Sequence, residues 1–321
     1  MSKITIEEAL AFAEKHYPNA PEKLIEYLNI EVRYSPLNCD GWCLQLGDRT
    51  IIRINSTVSD ARKRFTLAHE LGHLIYEIPT VVGEHIFSDP KNRTAEELKV
   101  DEFAAQILLP ASIVKSKIQE TPITAAAIKR LAKDAKMSQL AVALRIANLT
   151  PELGFGATIV LFYENDDMKW QWSQTLNAPG DMPKKLLAKA MESNPQPARI
   201  LYSNGKVSVI SFLENPSLNT KTVFVQLVSE QDGFKQLPEE RVRELEQKIF
   251  ENDIDSRKSM AGRFGAFKKT AQSMLLEEAI DVFVSRLKKY PYPLSKDRMN
   301  KLLAEDGIEY IRLKLQSWTK S

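Results

Sequence analysis

The period of apolar and polar positions changes several times along this chain, and each change marks a predicted element. Residues 5–16 and 21–28 read as two short helices around Tyr17-Pro18-Asn19. The runs 30–34, 42–46 and 50–55 are short and rich in β-branched or aromatic residues. Asp40-Gly41 and Gly47-Asp48 separate them, so they predict three strands. A helix follows over about 59–77 and ends at Pro79; a loop rich in Gly, Asp, Pro and Asn fills 79–92; a further helix over 94–108 stops at Pro110. Residues 126–135 and 139–149 form a helix pair joined by Lys136-Met137-Ser138, with Ser138 as N-cap. Beyond Gly154 the pattern predicts strands at 157–163, 168–173, 199–202, 206–213 and 222–228, with a helix over 182–192 inserted among them. From Pro238 the chain is helical again, with Val242, Leu245 and Ile249 on one face.

These elements predict an α+β chain in four segments. Residues 1–121 form a small sheet followed by helices. Residues 122–152 are a helix pair resembling a helix-turn-helix, a unit that reads DNA in some proteins and buttresses a domain in others. Residues 153–232, five strands with an inserted helix, predict a PAS- or GAF-like sensor domain. Residues 233–321 form a basic helical region. No internal repeat or low-complexity tract interrupts this order.

Bulk composition narrows the classes. At 321 residues, with 27% charged residues and a formal net charge of +2, the chain has length enough for two or three cores. Its first eight residues hold no apolar stretch of the kind a secretory signal needs. No apolar run approaches the ~20 residues that span a bilayer. Cys39 and Cys43 make no disulfide framework, so a reduced, cytoplasmic protein without membrane contact is expected. The near-neutral total hides an asymmetry: residues 256–321 carry 14 Lys and Arg against 7 Asp and Glu. Within that stretch, Arg257, Lys258, Arg263, Lys268 and Lys269 alternate with Phe264 and Phe267. Such a run either holds phosphates and stacks bases or is a basic loop whose aromatics fold inward.

The chemistry concentrates in His69-Glu70-Leu71-Gly72-His73. Two imidazoles four residues apart on a helix project from one face and can share a metal ion. The glutamate between them suits a general base acting on water at that metal. Between Phe65 and Tyr76 no other charge than Glu70 intrudes, as befits a helix packed in a core. A catalytic zinc ordinarily takes three protein ligands. The spacing of one zinc-protease class would put the third at position 79, which is Pro79, so that class is excluded. His85 remains open, and so does Glu96; Glu97 is the stronger candidate, because Asp101 lies one helical turn further on the same face. Asp101 could then accept the free N–H of His69 or His73 and fix its tautomer. Cys39, and less favourably Cys43, could occupy the open metal position as a thiolate and hold the site latent. The strand over 42–46, or its neighbour, offers an edge to which an extended peptide could add.

Arg64-Phe65-Thr66-Leu67-Ala68-His69-Glu70-Leu71-Gly72-His73, followed by Glu97-x-x-x-Asp101-x-Phe103-Ala104-Ala105-Gln106-Ile107-Leu108-Leu109-Pro110, resembles the ImmA/IrrE family of zinc metallopeptidases. The clear match covers about residues 28–150. The resemblance implies a zincin-like fold, one Zn2+ per chain held by His69, His73 and Glu97, and Glu70 as catalytic base. It also implies a substrate class, helix-turn-helix repressors, cut at one or few sites to derepress stress, mobile-element or defence genes. Apart from the resemblance, the sensor segment could take a nucleotide, a redox species or single-stranded nucleic acid, and the basic C-terminal region makes DNA, single-stranded or other, a possible activating ligand.

Overall fold

The computed structural model describes residues 4–47, 49–78, 94–118, 121–316 and 318–319. Two compact units divide the chain, residues 1–234 and 235–321.

The first unit begins with α1 (Ile6–His16) and α2 (Ala20–Leu28). Thr5 and Glu8 close a reciprocal cap at the start of α1, which satisfies two otherwise orphaned N–H groups. A three-stranded sheet follows, β1 (Glu31–Ser35), β2 (Gly41–Leu46) and β3 (Arg49–Asn55), in the order β1-β3-β2. β1 runs parallel to β3 and β2 antiparallel to it, so β2 is an edge strand among the described residues. Gly41 and Cys43 lie opposite Ile54 and Ile52, both fully buried, and so share the inner face. Leu44, on the alternate face, is exposed. The apolar set Trp42-Leu44 is thus not the buried side of this strand. Small residues face inward because helix α3 (Asp60–Tyr76) crosses there: a Cβ on Gly41 would stand 2.5 Å from Thr66 Cγ2.

Next come α4 (Ala95–Leu108), α5 (Ala111–Lys117), α6 (Ala125–Ala135) and α7 (Gln139–Leu153). Ser138 caps α7 as its sequence predicts, accepting the Ala141 N–H. From 139 to 150 no residue of α7 is exposed. Arg145, the cation on this helix, is buried and donates from Nε to the Leu109 carbonyl at 3.1 Å. This α7 buttresses a core and displays no face to a DNA groove. The reason is its sequence: Val142, Ala143, Ile146, Ala147 and Leu149 cover too much of the circumference to leave a polar stripe.

The second sheet contains β4 (Ala157–Glu164), β5 (Asp167–Trp172), β6 (Ala198–Leu201), β7 (Lys206–Asn215) and β8 (Thr220–Ser229), with α8 (Met182–Ser193) between β5 and β6. Its order is β5-β4-β8-β7-β6 and every neighbouring pair is antiparallel. The short α9 (Glu230–Gly233) ends the unit. One continuous core joins Ile52 and Ile54 of β3, Leu71 of α3, Phe103 of α4 and Ile146 of α7 to Val160 and Phe224 of this sheet. α8 packs on the other side through Leu186, Leu187 and Ala190.

The second unit is a bundle of α10 (Pro238–Phe250), α11 (Ile254–Ala271), α12 (Leu276–Lys289), α13 (Lys296–Leu303) and α14 (Glu305–Gln316), with its own core. The basic run 257–269 is helix α11, not a loop, and its phenylalanines are interior. Phe264 stacks on Phe283 at 4.6 Å and Phe267 is 1% exposed, so neither can stack on a base. Their alternating four- and three-residue spacing with Met260 and Ala271 builds one apolar stripe, which the bundle buries. Three of the five cations have partners within the unit: Arg257 donates to the Glu251 carbonyl, Arg263 to the carbonyls of Tyr290 and Tyr292, and Lys268 lies over the Trp318 ring. Lys258 and Lys269 are exposed. Phe264→Ala should therefore cost about 3–5 kcal/mol of bundle stability by urea unfolding, whereas Lys258→Ala should stay within about 0.5 kcal/mol. Equal, small losses would contradict this packing.

Candidate metal centre

The motif helix α3 is fixed at its start and along its flank. Ser59 accepts the Arg62 N–H and begins the helix. The Arg62 guanidinium grips the buried Asp40 carboxylate with two bonds, Nε at 2.7 Å and Nη2 at 2.5 Å, which locks the beginning of β2 to α3. Arg64 donates to Glu22 at 2.6 Å and to the Ala135 carbonyl at 2.7 Å, tying α3 to α2 and α6. Every residue from Thr66 to His73 is buried, on all sides of the helix. Polar groups placed there must find partners.

Helix α4 supplies them. Thr94 caps it by accepting the Glu97 N–H at 3.2 Å, and Glu97 thereby sits in the first turn, where the helix dipole favours a carboxylate. The two helices approach at Gly72. A Cβ there would lie 2.8 Å from Val100 Cγ1 and 3.2 Å from Phe103 Cδ1, so any larger residue would push α4 away.

At this crossing, His69 Nδ1–H donates to Asp101 Oδ1 at 2.9 Å. His73 Nδ1–H donates to the Ile78 carbonyl at 3.2 Å. The αL turn at Glu77 brings that carbonyl back over the helix end. Carbonyl and carboxylate oxygens only accept, so both rings have Nδ1 as donor and turn Nε2 inward. The two Nε2 atoms then stand 3.1 Å apart, and Glu97 approaches both, 3.2 Å from His69 and 3.3 Å from His73. The ligand atoms of His69, His73 and Glu97 all lie within 4.8 Å of one another and all three residues are buried. Two imidazole lone pairs facing at that separation repel unless a cation lies between them. A proton on His69 can serve in part; a divalent ion fits better, and two nitrogens with one carboxylate oxygen are donors that suit zinc.

The electrostatics agree. Burial by itself would lower the His69 pKa, but hydrogen bonds to Asp101 and Glu97 and the charges of Asp101 and Glu70 outweigh it and raise it to about 9. His73 moves down, first through burial and then through repulsion by His69. Glu70 is 2% exposed and close enough to affect His69 and Cys43.

Of the residues singled out in the sequence, His69, His73, Glu97 and Asp101 are brought together, with Glu70 beside them. Glu96 is exposed. His85 and the loop over 79–92 lie outside the described residues. Neither thiol joins the triad among the described residues. Cys39 is buried and its Sγ–H points to the Gly41 carbonyl at 3.7 Å. Cys43 is half-buried, and burial, then the Glu70 charge, push its thiol up to about 12, which disfavours a thiolate. Sequence reasoning passed over Gly72, Asp40, Arg62 and Arg64. A glycine inside a buried helix was the one local signal of a close approach.

A helix carrying two convergent imidazoles and an intervening glutamate, completed by a carboxylate from the following helix, defines the class of HExxH metallopeptidase domains. The peptidase M78 family model, described as the IrrE N-terminal-like domain, matches residues 25–147, and this segment is similar to the ImmA/IrrE family. The radiation response metalloprotease IrrE of Deinococcus radiodurans is 25% identical over 178 residues, covering 54% of this chain and 48% of that protein. The chain thus spans about half the length of this curated relative. A solved structure, a Mycobacterium tuberculosis transcriptional regulator, superposes with a TM-score of 0.46 at 15% identity over 69% of this chain and 76% of that one. That likeness is too weak to build on. No helix among the described residues is long and apolar enough to cross a membrane.

Two outcomes test the centre. Glu97→Ala should abolish stoichiometric zinc retention in equilibrium dialysis while Glu96→Ala leaves it intact, and Asp101→Asn should weaken affinity about 10- to 100-fold. Because the metal-free site holds a proton on His69 up to about pH 9, an incoming ion must displace it. Apparent zinc affinity, measured against a competing chelator, should rise about tenfold per unit from pH 7 to 9 and flatten above. A flat profile over that range would exclude His69 as the displaced group.

Proposed function

We propose that this protein is a zinc-dependent endopeptidase that cuts a helix-turn-helix transcriptional repressor at a specific site, and so derepresses stress, mobile-element or defence genes. The observation that carries the reading is the convergence of His69, His73 and Glu97 beside a buried Glu70. On this reading His69, His73 and Glu97 hold one Zn2+. When bound, the ion acts as a Lewis acid that acidifies water and polarises a carbonyl. Asp101 keeps His69 in its Nδ1–H tautomer, and the Ile78 carbonyl does the same for His73. Glu70 takes a proton from the attacking water and passes it to the leaving amine nitrogen. Glu70 is buried and close enough to Cys43 and His69 for its charge to affect both.

The substrate chain is held in extended form along β2. Among the described residues this strand is a sheet edge, it is clamped to α3 by Asp40–Arg62, and Leu44 on it is exposed. Repressors as the substrate class rest on the likeness of residues 25–147 to the ImmA/IrrE family. The five strands and inserted helix of residues 157–229 support a PAS- or GAF-like sensor that gates the site.

Glu70→Gln removes the base and keeps the shape. It should retain zinc and lose cleavage of the repressor by at least a hundredfold, with fragments mapped by mass spectrometry. A Glu70→Gln enzyme that cuts as the wild type does would end the peptidase reading, and degradation of unfolded casein-like substrates would end the site-specific one.

A further inference from the structure

The C-terminal unit presents a combination that neither the metal centre nor the bundle's own packing uses. Residues 286–296, Arg286-Leu287-Lys288-Lys289-Tyr290-Pro291-Tyr292-Pro293-Leu294-Ser295-Lys296, contain four cations and no carboxylate. Every residue from 288 to 293 is exposed. Tyr290 is 60% exposed and Tyr292 89%, and neither belongs to the apolar core of the bundle. Leu294 alone anchors the turn between α12 and α13. Yet the turn is held firmly: Arg263 of α11 donates from both terminal nitrogens to the carbonyls of Tyr290 and Tyr292. A guanidinium thus fixes the backbone behind two rings that contribute nothing to the fold.

Among the described residues no acid pairs with the lysines around these rings. Lys289 lies 5.3 Å from the Tyr290 ring and Arg286 4.9 Å from the Phe267 ring, so both keep their charge available. Among the described residues Lys288 and Lys296 have no ion-pair or hydrogen-bond partner. The nearest acid in sequence, Asp297, pairs with Lys301 and Arg298.

We propose that this turn, Lys288, Lys289, Tyr290, Tyr292 and Lys296 braced by Arg263, binds single-stranded nucleic acid. The tyrosine rings stack on unpaired bases while the lysines neutralise the phosphates that link them. Flat rings displayed to solvent suit bases that are free to unstack, which duplex does not offer. A partner protein is a poorer match, because interface cores are depleted in lysine. The inference does not rest on the peptidase reading.

The test is fluorescence anisotropy of a labelled oligothymidine with the full chain across a salt series. Binding should weaken with salt at a log–log slope of about −2, three lysines at about −0.7 each. Tyr290→Ala and Tyr292→Ala should each weaken binding roughly tenfold, since each removes one stacked base. The double Tyr→Phe variant, which keeps the stacking faces, should bind like wild type. Lys288→Ser with Lys289→Ser should reduce the slope by about 1.4. Both tyrosines lie outside the core, so unchanged thermal unfolding of the alanine variants would exclude misfolding. No binding, binding indifferent to the tyrosines, duplex bound as tightly as the single strand, or tyrosine-dependent capture by anionic phospholipid vesicles would each overturn the proposal. The same titration in the Glu70→Gln background should be unchanged, so its failure is distinguishable from a failure of the peptidase reading.

Discussion

Everything at the metal centre depends on two imidazoles being made to face each other inside a helix-rich core. Left alone, His69 and His73 would turn away, because Nε2 lone pairs at 3.1 Å repel. Two acceptors prevent that by drawing each Nδ1–H outward, Asp101 on one side and the Ile78 carbonyl on the other. The strongest charged influences on the two rings are acids and imidazole, with Glu70, Glu97 and Asp101 all close by. Two of these carboxylates, Glu70 and Glu97, are buried, which is costly unless a positive charge sits among them. The raised pKa of His69 is the protein's partial substitute for a cation, and a divalent ion would serve the same pocket more completely.

That constraint reaches outward through α3. Its burial on all sides requires support from three directions: β2 through the Asp40–Arg62 pair, α2 and α6 through Arg64, and α4 through Gly72. The α4 contact matters most for chemistry, because it brings Glu97 and Asp101, one turn apart, against His69. A methyl group at position 72 would separate the helices and move both acids together. The edge strand and the ligands are therefore parts of one rigid arrangement.

Much of this was legible in the sequence for a simple reason. Helical ligands are read from a 3.6-residue period, so His69, Glu70 and His73, and then Glu97 with Asp101, could be paired by spacing alone. The strands were equally open to reading, since β-branched runs bounded by Gly and Asp alternate visibly. What failed were questions of which face turns inward. The pattern of β2 makes Trp42 and Leu44 look buried, yet the crossing of α3 demands small residues, and Gly41 and Cys43 take the inside. Around residues 257–269 the alternation of charge and phenylalanine left two readings open, a run that holds phosphates and stacks bases or a basic loop with its aromatics turned inward. The aromatics do turn inward, but on a helix. In a helix the same alternation separates them, phenylalanines at 264 and 267 inward and Lys258 and Lys269 outward. Such outcomes turn on tertiary neighbours that no single stretch of chain contains.

The C-terminal unit shows the complementary case, in which composition was a true guide to charge and a poor guide to place. Its excess of lysine and arginine is largely consumed within the bundle: Arg298 and Lys301 on Glu251, Arg312 on Glu277, Lys314 on Glu246. Exposed pairs of this kind contribute little to stability, but they cancel the field that a nucleic acid would sense. A net count overstates the usable charge for that reason. What persists at the surface is local: the stretch 286–296, where cations outnumber acids completely and aromatic rings stand free of the core. Function in a basic helical unit is better sought in such uncompensated segments than in the longest run of positive residues.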